Sequence, residues 1–150
     1  MKKLTKVLNT LMVEIFNDIL TIEQTALKKG HFSDLSVTEM HTIEAIGMYH
    51  PRTMSEVALD LKITVGTLTT AINRLVKKGY VERKRVEDDR RVVKIQLTKK
   101  GKLAYRIHEK FHTDMIHAMI EGLNVEDEEI LVKSLSQLSN YLKKHYHLNE

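Results

Sequence analysis

Thr64-Val65-Gly66-Thr67-Leu68-Thr69-Thr70-Ala71-Ile72-Asn73-Arg74-Leu75-Val76-Lys77-Lys78-Gly79-Tyr80 is the stretch whose reading decides the fold. Leu68, Ala71, Ile72 and Leu75 recur at helical spacing, so one face of a helix turns inward. Thr64 stands where a hydroxyl oxygen can cap the first free backbone N–H groups, and Gly79 where a left-handed terminator is expected. The opposite face is polar, with Thr67, Thr70, Asn73 and Arg74 at its centre and Thr64 and Thr69 at its margins. Immediately upstream, Thr53-Met54-Ser55-Glu56 has the spacing of a capping box and opens a short helix through Val57, Ala58 and Leu61. Lys62-Ile63 leaves room only for a tight connection, so the two helices form a helix-turn-helix.

Past Gly79 the apolar period changes. Val81 to Val86 and Val93-Lys94-Ile95-Gln96-Leu97 read as two strands joined by the charged tip Glu87-Asp88-Asp89-Arg90, a β-hairpin wing. Charge concentrates here: from Arg74 to Lys102 there are 12 Lys/Arg against 4 Asp/Glu, although the whole chain carries only +4. A basic segment set in a mildly acidic remainder suits a polyanion, because phosphate neutralisation drives nucleic-acid binding. Charge alone fits a solvated hairpin equally well.

Working outward, Leu4, Val7, Leu8, Leu11, Met12, Ile15, Phe16, Ile19 and Ile22 form a broad apolar stripe on a first helix that Gly30 ends. Ser36-Val37-Thr38-Glu39 is a capping box for a second helix through Met40, Ile43 and Ile46, and Pro51 marks the break after it. Thr98 caps a long helix carrying Leu103, Ile107, Phe111, Met115 and Ile120, and Asn124 caps a last one carrying Ile130, Leu131, Leu135, Leu138, Tyr141 and Leu142. Both ends of the chain thus carry more apolar surface than one small lobe buries. A two-fold homodimer is the simplest remedy, against a monomeric bundle that buries every face internally.

The expected architecture is mainly α with a small β-hairpin wing, a single domain over 1–150. Residues 36–97 form the winged helix-turn-helix, 98–122 a long linking helix, and 1–30 with 124–148 the dimerisation helices. The 150 residues and 42% hydrophobic content support a core, and no apolar run approaches the ~20 residues of a membrane span, so the expectation is a cytoplasmic protein without membrane contact. The absence of cysteine excludes a thiolate nucleophile, a disulfide framework and a thiol switch. No phosphate-cradling glycine loop and no HExxH motif is present, and the clustered carboxylates lie at a wing tip and a helix start, so no enzyme and no cofactor is expected.

The order of elements is similar to that of the MarR family of bacterial regulators. Asp89-Arg90-Arg91-Val92-Val93-Lys94-Ile95-Gln96-Leu97-Thr98 fits the family's D-x-R-x5-L-T wing pattern, and Lys99-Lys100-Gly101 follows in the expected place. The resemblance covers essentially the whole chain and implies a dimeric winged helix-turn-helix repressor, with Asp89 positioning the wing arginines by ion pairing. The residues themselves point to double-stranded DNA. Thr64, Thr67, Thr69, Thr70, Asn73 and Arg74 would meet the major groove, where threonine methyls suit thymine and asparagine can pair adenine bidentately, giving an A·T preference. Arg90 or Arg91 would enter a narrow minor groove, and Arg83, Lys84 and Arg85 would touch phosphates.

Glu39-Met40-His41-Thr42-Ile43-Glu44, Thr64 to Thr70, Arg90-Arg91-Val92-Val93 and Lys110-Phe111-His112 further resemble the MarR-type repressors of fatty-acid synthesis. That resemblance implies palindromic operators and long-chain acyl-acyl carrier protein as corepressor. Ile19, Ile22, Met40, Ile43, Ile107, Phe111 and Met115 are candidates for an effector pocket, with ordinary core packing as the alternative. Lys28, Lys29, Arg106 and Lys110 are candidates for a basic rim that receives the acidic carrier. Two other effectors remain open: zinc, through His41, His108 and His112, and a small lipophilic or phenolic ligand. In each case the ligand would act by setting the separation of two recognition helices, which must match major grooves about 34–36 Å apart.

Overall fold

A computed structural model describes residues 1–148, with the side chain of Arg90 outside the described parts. The elements in chain order are α1 (Lys2–Lys29), α2 (Val37–Ile46), β1 (Arg52–Thr53), α3 (Met54–Leu61), α4 (Val65–Lys78), β2 (Val81–Val86), β3 (Asp89–Leu97), α5 (Lys99–Ile120) and α6 (Val125–His145). The chain forms two compact units, Met1–Tyr105 and the segment from Arg106 onward, with the boundary inside α5. This is the mainly helical winged architecture that the sequence predicts. Among the described residues no helix is long and apolar enough to cross a membrane.

In the first unit, α2, α3 and α4 pack with a three-stranded antiparallel sheet of order β1-β3-β2. Ile43, Val57, Leu68, Ile72, Leu75, Tyr80 and Ile95 are fully buried and form the centre of its core. The helix starts are locally encoded. Ser36 and Glu39 complete a capping box, and the Thr64 and Asn124 side chains accept from the N–H groups of Thr67 and Asp127. Each such cap contributes about 1 kcal/mol.

The box expected at Thr53 forms only by half. Thr53 accepts from the Glu56 N–H, but the Glu56 carboxylate lies 3.7 Å from Arg52 Nε. Arg52 also donates to the Ala45 carbonyl and to Asp60, at 2.6 and 2.7 Å. A cation between two acids outcompetes the backbone N–H of Thr53 for Glu56. The same anchoring holds Arg52 and Thr53 opposite Ile95 and Lys94 as β1, a two-residue strand that the pattern of the sequence does not announce. The connection after α3 is closed by Lys62 in the left-handed region, φ 57°, and Gly79 ends α4 at φ 87°. The wing is tighter than expected, because Asp89 and Arg90 belong to β3 and a register irregularity at Arg85/Val86 absorbs the turn.

Tyr80 joins these parts. Its hydroxyl donates to Asp34 Oδ1 at 2.5 Å, its carbonyl accepts from the Thr98 N–H at 3.0 Å, and Lys100 Nζ lies 4.3 Å from its ring centre. Burial, followed by the Asp34 carboxylate, pushes the phenol pKa well above its usual range, so the proton stays on Tyr80. Beside it, Lys78 Nζ donates to both Glu39 carboxylate oxygens at 2.9 Å and to the Asp34 carbonyl at 2.5 Å. Burial alone would raise the Glu39 pKa, but the hydrogen bonds from Lys78 and Ser36 outweigh it and hold the carboxyl below its ordinary value.

Two expectations follow. A Cβ on Gly101 would stand 2.1 Å from the Tyr80 carbonyl oxygen and 3.2 Å from Leu97 Cβ, and neither backbone can yield. Gly101→Ala should therefore cost about 1–3 kcal/mol in denaturant unfolding, whereas Gly66→Ala, whose Cβ meets nothing closer than 3.9 Å, should cost little. Because folding lowers the Glu39 pKa, its stabilisation is complete above about 4.5 and fades as pH falls below it. Glu39→Gln should lower the melting temperature by several degrees at pH 7, roughly 1–3 kcal/mol, and the gap from wild type should narrow toward pH 3.5.

Candidate nucleic-acid interface

The inward face of α4 is spent on the core through Leu68, Ile72 and Leu75, which leaves Thr64, Thr67, Thr69, Thr70, Asn73 and Arg74 exposed together. Their hydroxyls are already partly committed. Thr64 Oγ1 donates to Thr67 Oγ1 at 2.9 Å, and Thr69 donates to the Val65 carbonyl at 2.8 Å. Thr70 makes a longer contact, 3.4 Å, with the Gly66 carbonyl. A threonine whose proton is used within its helix offers a partner its oxygen lone pairs and its methyl group. That surface fits the thymine methyl and exocyclic amino groups better than phosphate.

The wing has two chemically different faces. Val81, Arg83 and Arg85 of β2 lie opposite Leu97, Ile95 and Val93, so they share the face on which Ile95 and Leu97 are buried. From this face Arg83 Nη2 reaches α4 and donates to Asn73 Oδ1. Lys84 occupies the other face, directly opposite Lys94. Glu82, paired with Gln96, lies on the same face two residues from Lys84, so this face combines two cations with one carboxylate. Lys94 was not among the residues singled out from the sequence, because only the register reveals that it doubles Lys84.

Asp89 Oδ1 accepts from the Arg91 backbone N–H at 3.0 Å, so it fixes the main chain beneath the exposed Arg91 side chain. The expectation for Arg90 lies outside the described residues. The other cationic candidates, Arg74, Lys84 and Arg85, are all exposed.

Comparison with known proteins gives this arrangement its setting. Residues 33–92 match the model of the MarR family. The chain is 33% identical over 117 residues to the HTH-type transcriptional regulator SarZ of Staphylococcus saprophyticus, covering 77% of this chain and 76% of SarZ. It is 42% identical to Streptococcus pneumoniae FabT, solved in complex with DNA, over 93% of this chain and 98% of FabT, with a TM-score of 0.84.

The chain belongs to the MarR family.

It is a winged helix-turn-helix transcriptional regulator, with α3 and α4 as the helix pair and β2–β3 as the wing. It is also 23% identical to PchR of Bacillus subtilis over 72% of this chain, and spans 66% of that regulator's length.

The residues considered for effector binding fall in both units. In the first, Met40 and Ile43 are core residues of α2, Ile19 is half-buried, and Ile22 is exposed on α1, as are Lys28 and Lys29 in its last turn. Glu23, buried on α1, lies 3.5 Å from His41 Nε2 of α2. In the second, Ile107 and Arg106 are exposed and Phe111 and Met115 are half-buried along α5, while Lys110 is paired to Asp114 at 2.5 Å. His108 and His112, one helical turn apart, bring their Nε2 atoms to 3.0 Å.

A measurable consequence concerns the paired lysines. Lys84→Gln should weaken binding to all operator sequences alike and lower the salt dependence of log K by about one unit. It should leave the melting temperature unchanged or slightly raised, since it removes the repulsion with Lys94. Arg91→Ala should likewise weaken every sequence; a selective loss on some sequences would assign Arg91 to base reading instead.

Proposed function

We propose that this chain is a homodimeric repressor of fatty-acid biosynthesis genes. It binds a palindromic, A·T-rich operator and holds it more tightly when long-chain acyl-acyl carrier protein acts as corepressor. The observation that carries this reading is the 42% identity, over almost all of its length, to the FabT of Streptococcus pneumoniae solved with DNA. The stretches Glu39–Glu44 and Lys110–His112 support it by their likeness to MarR-type repressors of fatty-acid synthesis.

The dimer is supported by surface chemistry. Within the first unit, Leu8, Met12, Ile15 and Phe16 of α1 are exposed, Phe16 to 69%. Within the second, no residue of α6 is buried, and Ile130, Val132, Leu135 and Tyr141 are each more than half exposed. Exposed apolar side chains in such number on two helices belong at an interface. Residues 1–30 and 124–148 are the proposed dimerisation helices of a single working domain, 1–150. Ile19, Ile22, Met40 and Ile43 of the first unit, and Ile107, Phe111 and Met115 of the second, are each proposed for contact with the acyl chain, and Lys28, Lys29, Arg106 and Lys110 for contact with the carrier protein.

One observation favours a second effector. The 3.0 Å approach of the His108 and His112 Nε2 atoms requires one ring to donate to the other or a cation to replace the proton. Zinc gating would use this pair.

The decisive experiment is a gel-shift titration on a fatty-acid synthesis promoter fragment at fixed salt, with long-chain acyl-acyl carrier protein, with the unacylated carrier, and with zinc or a chelator. Tightening by the acylated carrier alone is expected. An effect of zinc without an effect of the acylated carrier would replace the first reading by the second. Leu135→Arg should yield a monomer in sedimentation and abolish operator binding; a dimer that persists and still binds would exclude α6 from the interface.

A further inference from the structure

Gly66 stands in the first turn of α4 without a reason inside the chain. It lies within the helix and not at positive φ, so its backbone conformation is one that any residue adopts. Among the described residues, a Cβ built there would meet only Thr64 Oγ1, at 3.9 Å, so no neighbour needs the space. Glycine is also among the poorest helix formers, and alanine would strengthen the turn. A missing side chain at such a position serves whatever approaches the helix from outside.

Helical spacing places Gly66 on the outward face with Thr69, Thr70 and Asn73, opposite the buried Leu68, Ile72 and Leu75. Val65 borders the gap. Its side chain is 45% exposed on a helix whose other exposed side chains are all polar. Peptide dipoles run along a helix axis, so the opening left by the missing Cβ faces sideways, beside the Val65 isopropyl group.

The wing brings charge to the same face. Arg83 Nη2 of β2 donates to Asn73 Oδ1, so a cation that suits a nucleic-acid backbone stands beside this stripe of α4. Of the groups that a duplex presents in its major groove, the C5 methyl of thymine is the apolar one. A shallow floor of bare helix beside an exposed valine matches that methyl. Neither residue offers a side-chain donor or acceptor to a base amino group or carbonyl oxygen.

We propose that Val65 and Gly66 form a socket for the C5 methyl of a thymine. Gly66 lets the base edge come close to the helix, and Val65 covers the methyl, which makes Val65 a specificity-determining residue. The proposal rests on α4 being the groove-reading helix of an operator-binding dimer.

The test uses the full-length wild type, Val65→Ala and Gly66→Ala on an operator selected by the wild type from a random duplex library. Each thymine in turn is replaced by deoxyuridine, which removes only the methyl, and affinity is measured at fixed salt. Wild type should lose about three- to fivefold at one thymine in each half-site. Val65→Ala should bind the unmodified operator more weakly by a similar factor and should no longer distinguish thymine from uracil there. Gly66→Ala should keep or raise the melting temperature, yet lose about tenfold or more on the thymine duplex, and uracil at that position should restore part of the loss. Specific binding by the wild type that ignores every thymine methyl overturns the socket. So does a Gly66→Ala protein that binds like wild type, or one that weakens on all duplexes with the thymine-to-uracil ratio intact, which would place a phosphate against the glycine. If the wild type selects no sequence, the operator-binding reading itself fails, and the socket with it.

Discussion

The first unit depends on the way Tyr80 is held. It is the first residue after the glycine that ends α4, so its backbone fixes where the recognition helix stops and the wing begins. Its carbonyl accepts from Thr98, its hydroxyl donates to Asp34, and its ring lies beneath Lys100. One side chain thus ties together the loop before α2, the end of α4, the base of the wing and the first turn of α5. Thr98 strengthens the joint by donating to the Gly79 carbonyl at 2.6 Å and accepting from the Gly101 N–H at 3.2 Å. The closeness of Gly101 to the Tyr80 carbonyl leaves no room for a Cβ at that position of α5. The joint thereby holds the end of α4 against the base of the wing and the start of α5.

How much of this was legible in the sequence depended on range. Ser36, Thr64, Gly79, Thr98 and Asn124 act on backbone within a few residues of themselves, and each does in the structure what its position announced. The role of Tyr80 was not legible, because its side-chain hydrogen-bond partner is Asp34, 46 positions away. The box at Thr53 failed for the same reason: Glu56 had a stronger partner in Arg52, and cross-element competition leaves no trace in a four-residue motif. The register of β2 with β3 was equally unreadable, and with it the doubling of Lys84 by Lys94 and the separation of Arg83 from Lys84.

The candidate interface shows the same division. That α4 would turn threonines, Asn73 and Arg74 outward was fixed by the burial of Leu68, Ile72 and Leu75. Which atoms those side chains would offer was not, since hydroxyl protons and amide oxygens are assigned by their neighbours. Thr69 spends its proton on its own helix, and Asn73 Oδ1 accepts one hydrogen bond from the wing. A residue list made from helical periodicity therefore locates a reading face but leaves its donor and acceptor pattern blank, and that pattern is what a base pair recognises.

Charge and hydrophobicity divide the labour along the chain. The wing sets Lys84 directly opposite Lys94 in a segment rich in cations, a pairing that a polyanion would favour. The terminal helices carry apolar side chains that water leaves unsatisfied, which favours association by a non-directional force. Neither force alone specifies a sequence. Specificity has to come from the few directed groups between them, on α4 and the inward face of β2, where hydrogen-bond polarity is set by protein partners before DNA arrives. Because Arg83 belongs to the wing and Asn73 to α4, their hydrogen bond ties the orientation of the Asn73 amide to the position of the wing.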